Sequence, residues 1–263
     1  MKVLLLGGGK GKSLWPISRD NLPKQFSKIL FEKSLFQRTI EFLREVVNVN
    51  DIFVIAPEKF KFFVKNQSME ILKTSSVNHI VEKESRGTLK AVSLGISHLI
   101  QNDVSENEIV IILNSDQIWK TSVNNFSNAV SEVTSNIPFG KIACFISSKS
   151  RDLRDKVEFE DIKNSIFGQF IGFSQKSKFS NLGIYVSFLR CFRDLIQDVF
   201  SSALETIIEN DSFDGITFED TISRKPQNIL TFNWDVEVID IDSISDISKV
   251  IDVDRSGNFL SGD

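Results

Sequence analysis

The sequence predicts an α/β fold in which a mostly parallel sheet is covered by helices on both faces. Three observations predict it. Short apolar runs alternate with longer stretches of helical spacing through the first half of the chain. Those runs are continuously apolar, as in strands buried on both faces. Two of them stop abruptly at glycine or polar residues, Gly7-Gly8-Gly9 and Asn114-Ser115-Asp116, as expected where a parallel sheet presents loops at the carboxyl ends of its strands.

Val3–Leu6 reads as a first, buried strand. Ser34–Val47 places Leu35, Phe36, Ile40, Leu43, Val46 and Val47 at helical intervals, with Ser34 as cap. Ile52–Ala56, stopped by Pro57, is a second strand, and Val77–Val81 a third. Thr88–Ile100 carries Leu89, Val92, Leu94, Ile96, Leu99 and Ile100, which predicts a helix capped by Thr88. Ile109–Leu113 is the clearest strand in the chain; Val123–Thr134 is a helix and Ile142–Ile146 a strand. The second half is less regular. It offers strands at Val157–Ile162, Ser165–Phe173, Leu182–Val186, Ile229–Phe232 and Val236–Ile241, and helices at Phe188–Phe200 and Ser245–Ile251. The tail from Asp252 is polar and expected to fray. No repeat or linker interrupts the chain, so one domain with an inserted or appended substrate-binding half is expected.

The chain has 263 residues, 41% of them hydrophobic and 25% charged, enough for a sizeable core. A net charge of −4 argues against a nucleic-acid partner, which would favour a basic excess. No apolar run is long enough to span a membrane. The run Val3–Leu6 ends in glycines, which suits a strand better than a secretory leader. Cys144 and Cys191 lie far apart in apolar surroundings and read as buried thiols of a reducing compartment, so a cytoplasmic location is expected. His79 and His98 belong to no cluster, and Trp15 and Trp119 are expected to pack under the rim loops. The chain holds 23 Phe against one Tyr, a bias that fills core volume without needing hydrogen-bond partners.

The rule that ligands sit beyond the carboxyl ends of such strands places Gly7–Ser13 and Asn114–Asp116 on one rim. Consecutive glycines let backbone N–H groups close around an anion. Lys10, Lys12 and Lys24 add positive charge beside them, equipment suited to a triphosphate. A dinucleotide-type loop would need a helix to follow at once, and Pro16 disfavours helix at Trp15. A Walker loop ending at Gly11-Lys12-Ser13 would need glycine where Leu6 stands. A tight strand-to-loop turn that binds nothing stays open on these residues alone.

Gly8-Gly9-Lys10-Gly11, Leu14-Trp15-Pro16-Ile17-Ser18-Arg19 and Pro23-Lys24-Gln25-Phe26 closely resemble the signature of the mannose-1-phosphate guanylyltransferases, GGxGxRLWPLSR followed by PKQF. Weaker echoes follow. Glu82-Lys83-Glu84-Ser85-Arg86-Gly87-Thr88 resembles the family's E-P-x-x-R-N-T, and Gly87-Thr88 with Ala91 resembles the Gly-Thr-x-x-Ala of the wider superfamily near the nucleobase. Asn114-Ser115-Asp116-Gln117 resembles P-[AS]-D-H, and Gln175-Lys176-Ser177 resembles E-K-P. Ser180-Asn181-Leu182-Gly183-Ile184-Tyr185 resembles W-N-S-G-[IV]-F, and Ile239-Asp240-Ile241-Asp242-Ser243 resembles W-S-D-V-G-S. The resemblance spans nearly the whole chain but is dense only near its start.

What the resemblance implies is a Rossmann-like, nucleotidyltransferase-type core over residues 1–250, with a nucleotide-binding part near 1–120, a smaller sugar-binding part near 121–250, and a tail at 251–263. It implies transfer of a nucleotidyl group to a sugar-1-phosphate with release of pyrophosphate, GTP and mannose-1-phosphate giving GDP-mannose being the first expectation. Lys24, Asp116 and Lys12 would be catalytic. Gly7, Gly8, Gly9, Gly11, Ser13, Glu82, Arg86, Gly87 and Thr88 would face the nucleotide, and Lys176, Asn181 and Gly183 the sugar phosphate. Asp116 and Asp240 would hold Mg2+ or Mn2+, with Asp242 the rival for the second place. Relatives are often dimers, so a homodimer is within the expectation, and many continue into a β-helix or isomerase region.

Bland readings stand beside these. Asp116 could cap a helix, and Arg86 could pair with Glu82 or Glu84 on the surface. The chain departs from the pattern at Ser13, where the family has an arginine that lysine cannot replace in bidentate contact, and at Gly87, Gln117 and Asp242. These departures leave open a relative using another nucleotide or phosphorylated acceptor, or a weakened nucleotide-binding partner subunit.

Overall fold

The computed structural model describes the chain except for residues 10–13, 16, 29–31, 74, 151, 152, 154, 242, 244, 245, 247–251, 254–258 and 261–263; of residues 252, 253, 259 and 260 it describes the backbone alone. The expected helix at Ser245–Ile251 and the candidates Gly11, Lys12, Ser13 and Asp242 therefore lie outside the described residues.

Strands fall where the apolar runs are. β1 (Lys2–Leu6) carries Val3, Leu4 and Leu5, all fully buried. The first helix, α1 (Leu35–Leu43), starts at Ser34 in a capping box: the Gln37 N–H donates to Ser34 Oγ at 3.1 Å, and the Ser34 N–H donates back to Gln37 Oε1 at 3.1 Å. Then follow β2 (Ile52–Pro57), α2 (Lys61–Leu72), β3 (Asn78–Glu82), α3 (Thr88–Gln101) and β4 (Ile109–Asn114). β5 (Gln117–Lys120), α4 (Val123–Asn136), β6 (Ile142–Ser147), β7 (Val157–Asp161), β8 (Phe167–Phe173) and β9 (Ser180–Phe188) come next. The chain closes with α5 (Leu189–Phe200), α6 (Leu204–Glu209), α7 (Phe218–Ser223), β10 (Ile229–Asn233) and β11 (Glu237–Asp240), beyond which a short ladder joins Asp252–Val253 to Phe259–Leu260.

The main sheet has the order β3-β2-β1-β4-β9-β6-β10-β8-β7. Only β8 and β9 run against the other strands of that sheet, so the mostly parallel α/β class is borne out. Side chains alternate across it. Val3, Leu5, Ile111 and Leu113 enter a core with residues of α1, α2 and α4, whereas Leu4, Val110 and Ile112 enter a second core with residues of α3, α5, α6 and α7. Helices thus cover both faces.

Several local expectations fail for identifiable reasons. Thr88 begins α3 but does not cap it; Gly87 holds the cap position, and Thr88 Oγ1 instead accepts from the Phe218 N–H at 2.8 Å. α2 escapes a periodicity reading because Phe62 and Met69 point outward, at 76% and 39% exposure. Trp15 is 72% exposed rather than packed beneath a loop; Leu14 and Ile17 do that packing, against Leu35, Ile118, Ile239 and Ile241. Trp119 meets the expectation, with its ring 5.2 Å from those of Phe42 and Phe126.

Candidate active site

After Pro23, the segment Lys24–Phe26 forms a single 3-10 turn whose three side chains do three different jobs. Phe26 anchors it, its ring 5.1 Å from Phe36, 5.4 Å from Phe63 and 5.7 Å from Phe60. Gln25 reaches back to the first glycines, Nε2 donating to the Gly7 carbonyl at 2.8 Å and to the Gly8 carbonyl at 3.4 Å. Lys24 is 9% exposed. Its Nζ donates to Asp240 Oδ1 at 2.8 Å and to the Ile241 carbonyl at 3.2 Å, and lies 3.1 Å from Asp116 Oδ2. A buried ammonium is stable only when paired and hydrogen-bonded, and here it is both.

Asp116 and Asp240 meet because β5 and β11 form a separate antiparallel ribbon in which Gln117 faces Asp240. Ile118, Ile239 and Ile241 seat that ribbon on Leu14 of the tryptophan-containing segment. Asp116 precedes a strand, not a helix, so capping is not its role. The two carboxylates keep partial solvent access, at 28% and 31% side-chain exposure. Among the described residues no group of three or more His, Cys, Asp or Glu is placed to hold a metal. Two carboxylates are the donor set that Mg2+ takes from a protein when phosphate oxygens and water complete its shell, so this pair fits such an ion.

The rim is continuous. Leu6 lies opposite Asn114 in the sheet, and both the N–H and the hydroxyl of Ser115 donate to the Leu6 carbonyl, at 3.1 and 2.9 Å. This brings the loops after β1 and β4 side by side, as the strand pattern requires. Glu82 ends β3 on the same rim, and the Gly9 N–H donates to Ser85 Oγ at 3.0 Å.

Burial pushes the Glu82 carboxyl up to about 7 from its ordinary 4.5, against the lowering effect of bonds from the Arg86 N–H and the Ser85 hydroxyl. A pKa raised on folding stabilises below the unfolded value, and that stability is lost as pH rises through the folded one. The chain should thus lose at most about 3 kcal/mol through Glu82 between pH 4.5 and 7. Urea midpoints of Glu82→Gln across that window should show a flatter pH dependence than those of the parent; identical slopes would refute the assignment.

Arg86 does not reach Glu82 with its side chain. It pairs with Glu84 at 3.5 Å and, across the fold, with Asp211 and Asp214. Asp214 also holds the buried Lys90. Between them the backbone is locked: the Gly215 N–H donates to the Arg86 carbonyl at 2.6 Å and the Leu89 N–H to the Ile216 carbonyl at 3.2 Å. Gly87 makes this possible. Its φ is +116°, and a Cβ there would fall 2.6 Å from the Ile216 oxygen. Gly87→Ala should cost about 1–3 kcal/mol, read as a fall in urea midpoint; an unchanged midpoint would show that the loop yields freely.

On the other side, Asn181 and Gly183 open β9. Gly183 has φ +66°, and a Cβ there would lie 2.7 Å from Asn114 Nδ2, so this backbone presses against the segment that carries Asp116. Lys176 is exposed in the turn between β8 and β9. The structure therefore brings Lys24, Asp116 and Asp240 together beside Gly7–Gly9, places Glu82 and Gly183 on the flanks, and engages Arg86, Gly87 and Thr88 with the 211–218 segment.

Residues 2–154 match the model of the nucleotidyl transferase family. The chain belongs to that family. It is similar to mannose-1-phosphate guanylyltransferase of Escherichia coli, 29% identical over 212 residues, which cover 80% of this chain and 41% of the relative. It is also similar to mannose-1-phosphate guanylyltransferase 2 of Escherichia coli O157:H7, 32% identical over 144 residues, 54% of this chain and 29% of the relative. The chain thus spans less than half the length of these curated relatives. Among solved structures, one named mannose-1-phosphate geranyltransferase from Thermus thermophilus superposes with a TM-score of 0.72 over 92% of this chain and 76% of that one, at 16% identity, a likeness of fold. No described helix is long and apolar enough to cross a membrane.

Proposed function

We propose that the protein makes a nucleoside-diphosphate sugar and pyrophosphate from a nucleoside triphosphate and a sugar-1-phosphate, with GTP and mannose-1-phosphate as the pair and GDP-mannose as product. The observation that carries this reading is Lys24 seated between Asp116 and Asp240 beside the loop Gly7–Gly9. The relatives named for the same reaction add support.

In the proposed reaction an oxygen of the sugar phosphate attacks the α-phosphorus of the triphosphate and pyrophosphate leaves. The protein need only align the partners and neutralise charge. The glycine loop borders the phosphates. Lys24 supplies positive charge at the reacting centre. Glu82 to Thr88 border the base, and Gly183 and Lys176 border the sugar phosphate, with the buried Asn181 holding Gly183 through its side-chain oxygen. Asp116 and Asp240 would hold Mg2+ or Mn2+, which when bound neutralises phosphate charge. The division into a nucleotide part near 1–120 and a sugar part near 121–250 belongs to the same proposal.

Pyrophosphate release measured across the four common nucleoside triphosphates and several hexose-1-phosphates tests it. GTP with mannose-1-phosphate should turn over fastest. A different best pair would move the substrate but keep the reaction, and silence on every pair would overturn it.

A further inference from the structure

The chain has one tyrosine among 23 phenylalanines, and that tyrosine is 2% exposed. A buried phenol in so phenylalanine-rich a core costs free energy unless its hydroxyl is used. Here it is used twice. Asn181 Nδ2 donates to Tyr185 Oη at 2.7 Å, and Tyr185 Oη donates to Glu219 Oε1 at 2.8 Å. Desolvation holds the Glu219 carboxyl above the ordinary range and keeps the Tyr185 phenol neutral.

The chain of contacts runs on toward the candidate active site. With its amide nitrogen committed to Tyr185, Asn181 turns its oxygen to the Gly183 N–H at 2.9 Å and to Cys144 Sγ at 3.3 Å. Gly183 is thereby held at positive φ against Asn114, two residues before Asp116. The segment resembling the sugar-contact motif is therefore set from the core side, through the buried Tyr185 and its acceptor Glu219.

We infer that Tyr185 and Glu219 are positioning residues for the sugar-phosphate side of the site: the Glu219–Tyr185–Asn181 relay fixes the amide that fixes Gly183 beside Asn114. This rests on the proposed reaction for its kinetic consequence but not for its structural one. A buried network works as a unit, and removing one member frees its neighbours. Tyr185→Phe removes one oxygen from the relay while preserving the ring that packs 5.0 Å from Phe218.

Two measurements test the inference. In the ligand-free protein, amide exchange at Gly183 should quicken at least roughly tenfold in Tyr185→Phe and in Glu219→Leu. Glu219→Gln, which retains an acceptor for the phenol, should stay within about threefold of the parent. In turnover, Tyr185→Phe should raise KM for the sugar-1-phosphate by roughly tenfold and leave KM for the triphosphate within about twofold, a split that general loosening would not produce. Unchanged Gly183 exchange in Tyr185→Phe, or equal KM changes for both substrates, would overturn the relay. A parent protein inactive on every substrate pair would instead strike the proposed reaction, and Gly183 exchange would still decide the relay.

Discussion

Lys24→Met should lower nucleotidyl transfer by roughly 10²–10³-fold, the loss seen when a preorganised charge or donor at a reacting centre is removed. The stem of Met fills the same buried space, so the 3-10 turn anchored by Phe26 should persist. What changes is the charge between Asp116 Oδ2 and Asp240 Oδ1, which in the parent lie 3.1 and 2.8 Å from one ammonium. Removing that ammonium takes away positive charge shared by the two carboxylates, and a divalent cation can supply it in its place. Mg2+ without nucleotide should therefore raise the melting temperature of the variant more than that of the parent. Lys24→Arg should recover little, because a guanidinium is broad and planar where the site is cut for a compact point charge. Full turnover in Lys24→Met would remove this lysine from the chemistry. An equal Mg2+ response in both proteins would show that the two carboxylates do not act as a pair.

Phe126→Ala should destabilise the fold by about 3–5 kcal/mol, the usual cost of deleting a fully buried aromatic ring. Phe126 is wholly buried on α4, with its ring 5.4 Å from Phe42, 5.2 Å from Trp119 and 5.5 Å from Trp234. Trp119 belongs to β5 and Trp234 lies just before β11, so one phenylalanine supports both strands of the ribbon that carries the two acids. The loss should therefore appear in two places. Denaturant unfolding should give the lower stability, and tryptophan emission of the folded variant should shift to the red as Trp119 and Trp234 gain water. Emission identical to that of the parent would mean that the ribbon is held without this ring.

Much of the fold is legible because the relevant forces are local. Ser34 ahead of an apolar stripe announces a capped helix, and Ile109–Leu113 announces a buried strand, from neighbours alone. The shared rim follows from the same logic: two strands end, and polar loops begin, in register. α2 was hidden because its outward phenylalanine breaks the expected stripe, and β5 because Gln117–Lys120 is too short for alternation to declare itself. The roles of Arg86 and Gly87 could not be read locally either, since the acids and carbonyl that engage them come from the 211–216 loop.

Within the site, the nearness of Lys24 to the glycine loop is a local matter, since Lys24 lies in the short turn whose Gln25 bonds the Gly7 carbonyl. The meeting of Asp116 with Asp240 is of another kind. It depends on a ladder between segments far apart in the chain, Gln117 opposite Asp240, and on Leu14 and three isoleucines seating that ladder. Local preference cannot encode such a pairing; burial of the whole ribbon against its supporting side chains selects it, and with it the place where the ammonium and the two carboxylates come together.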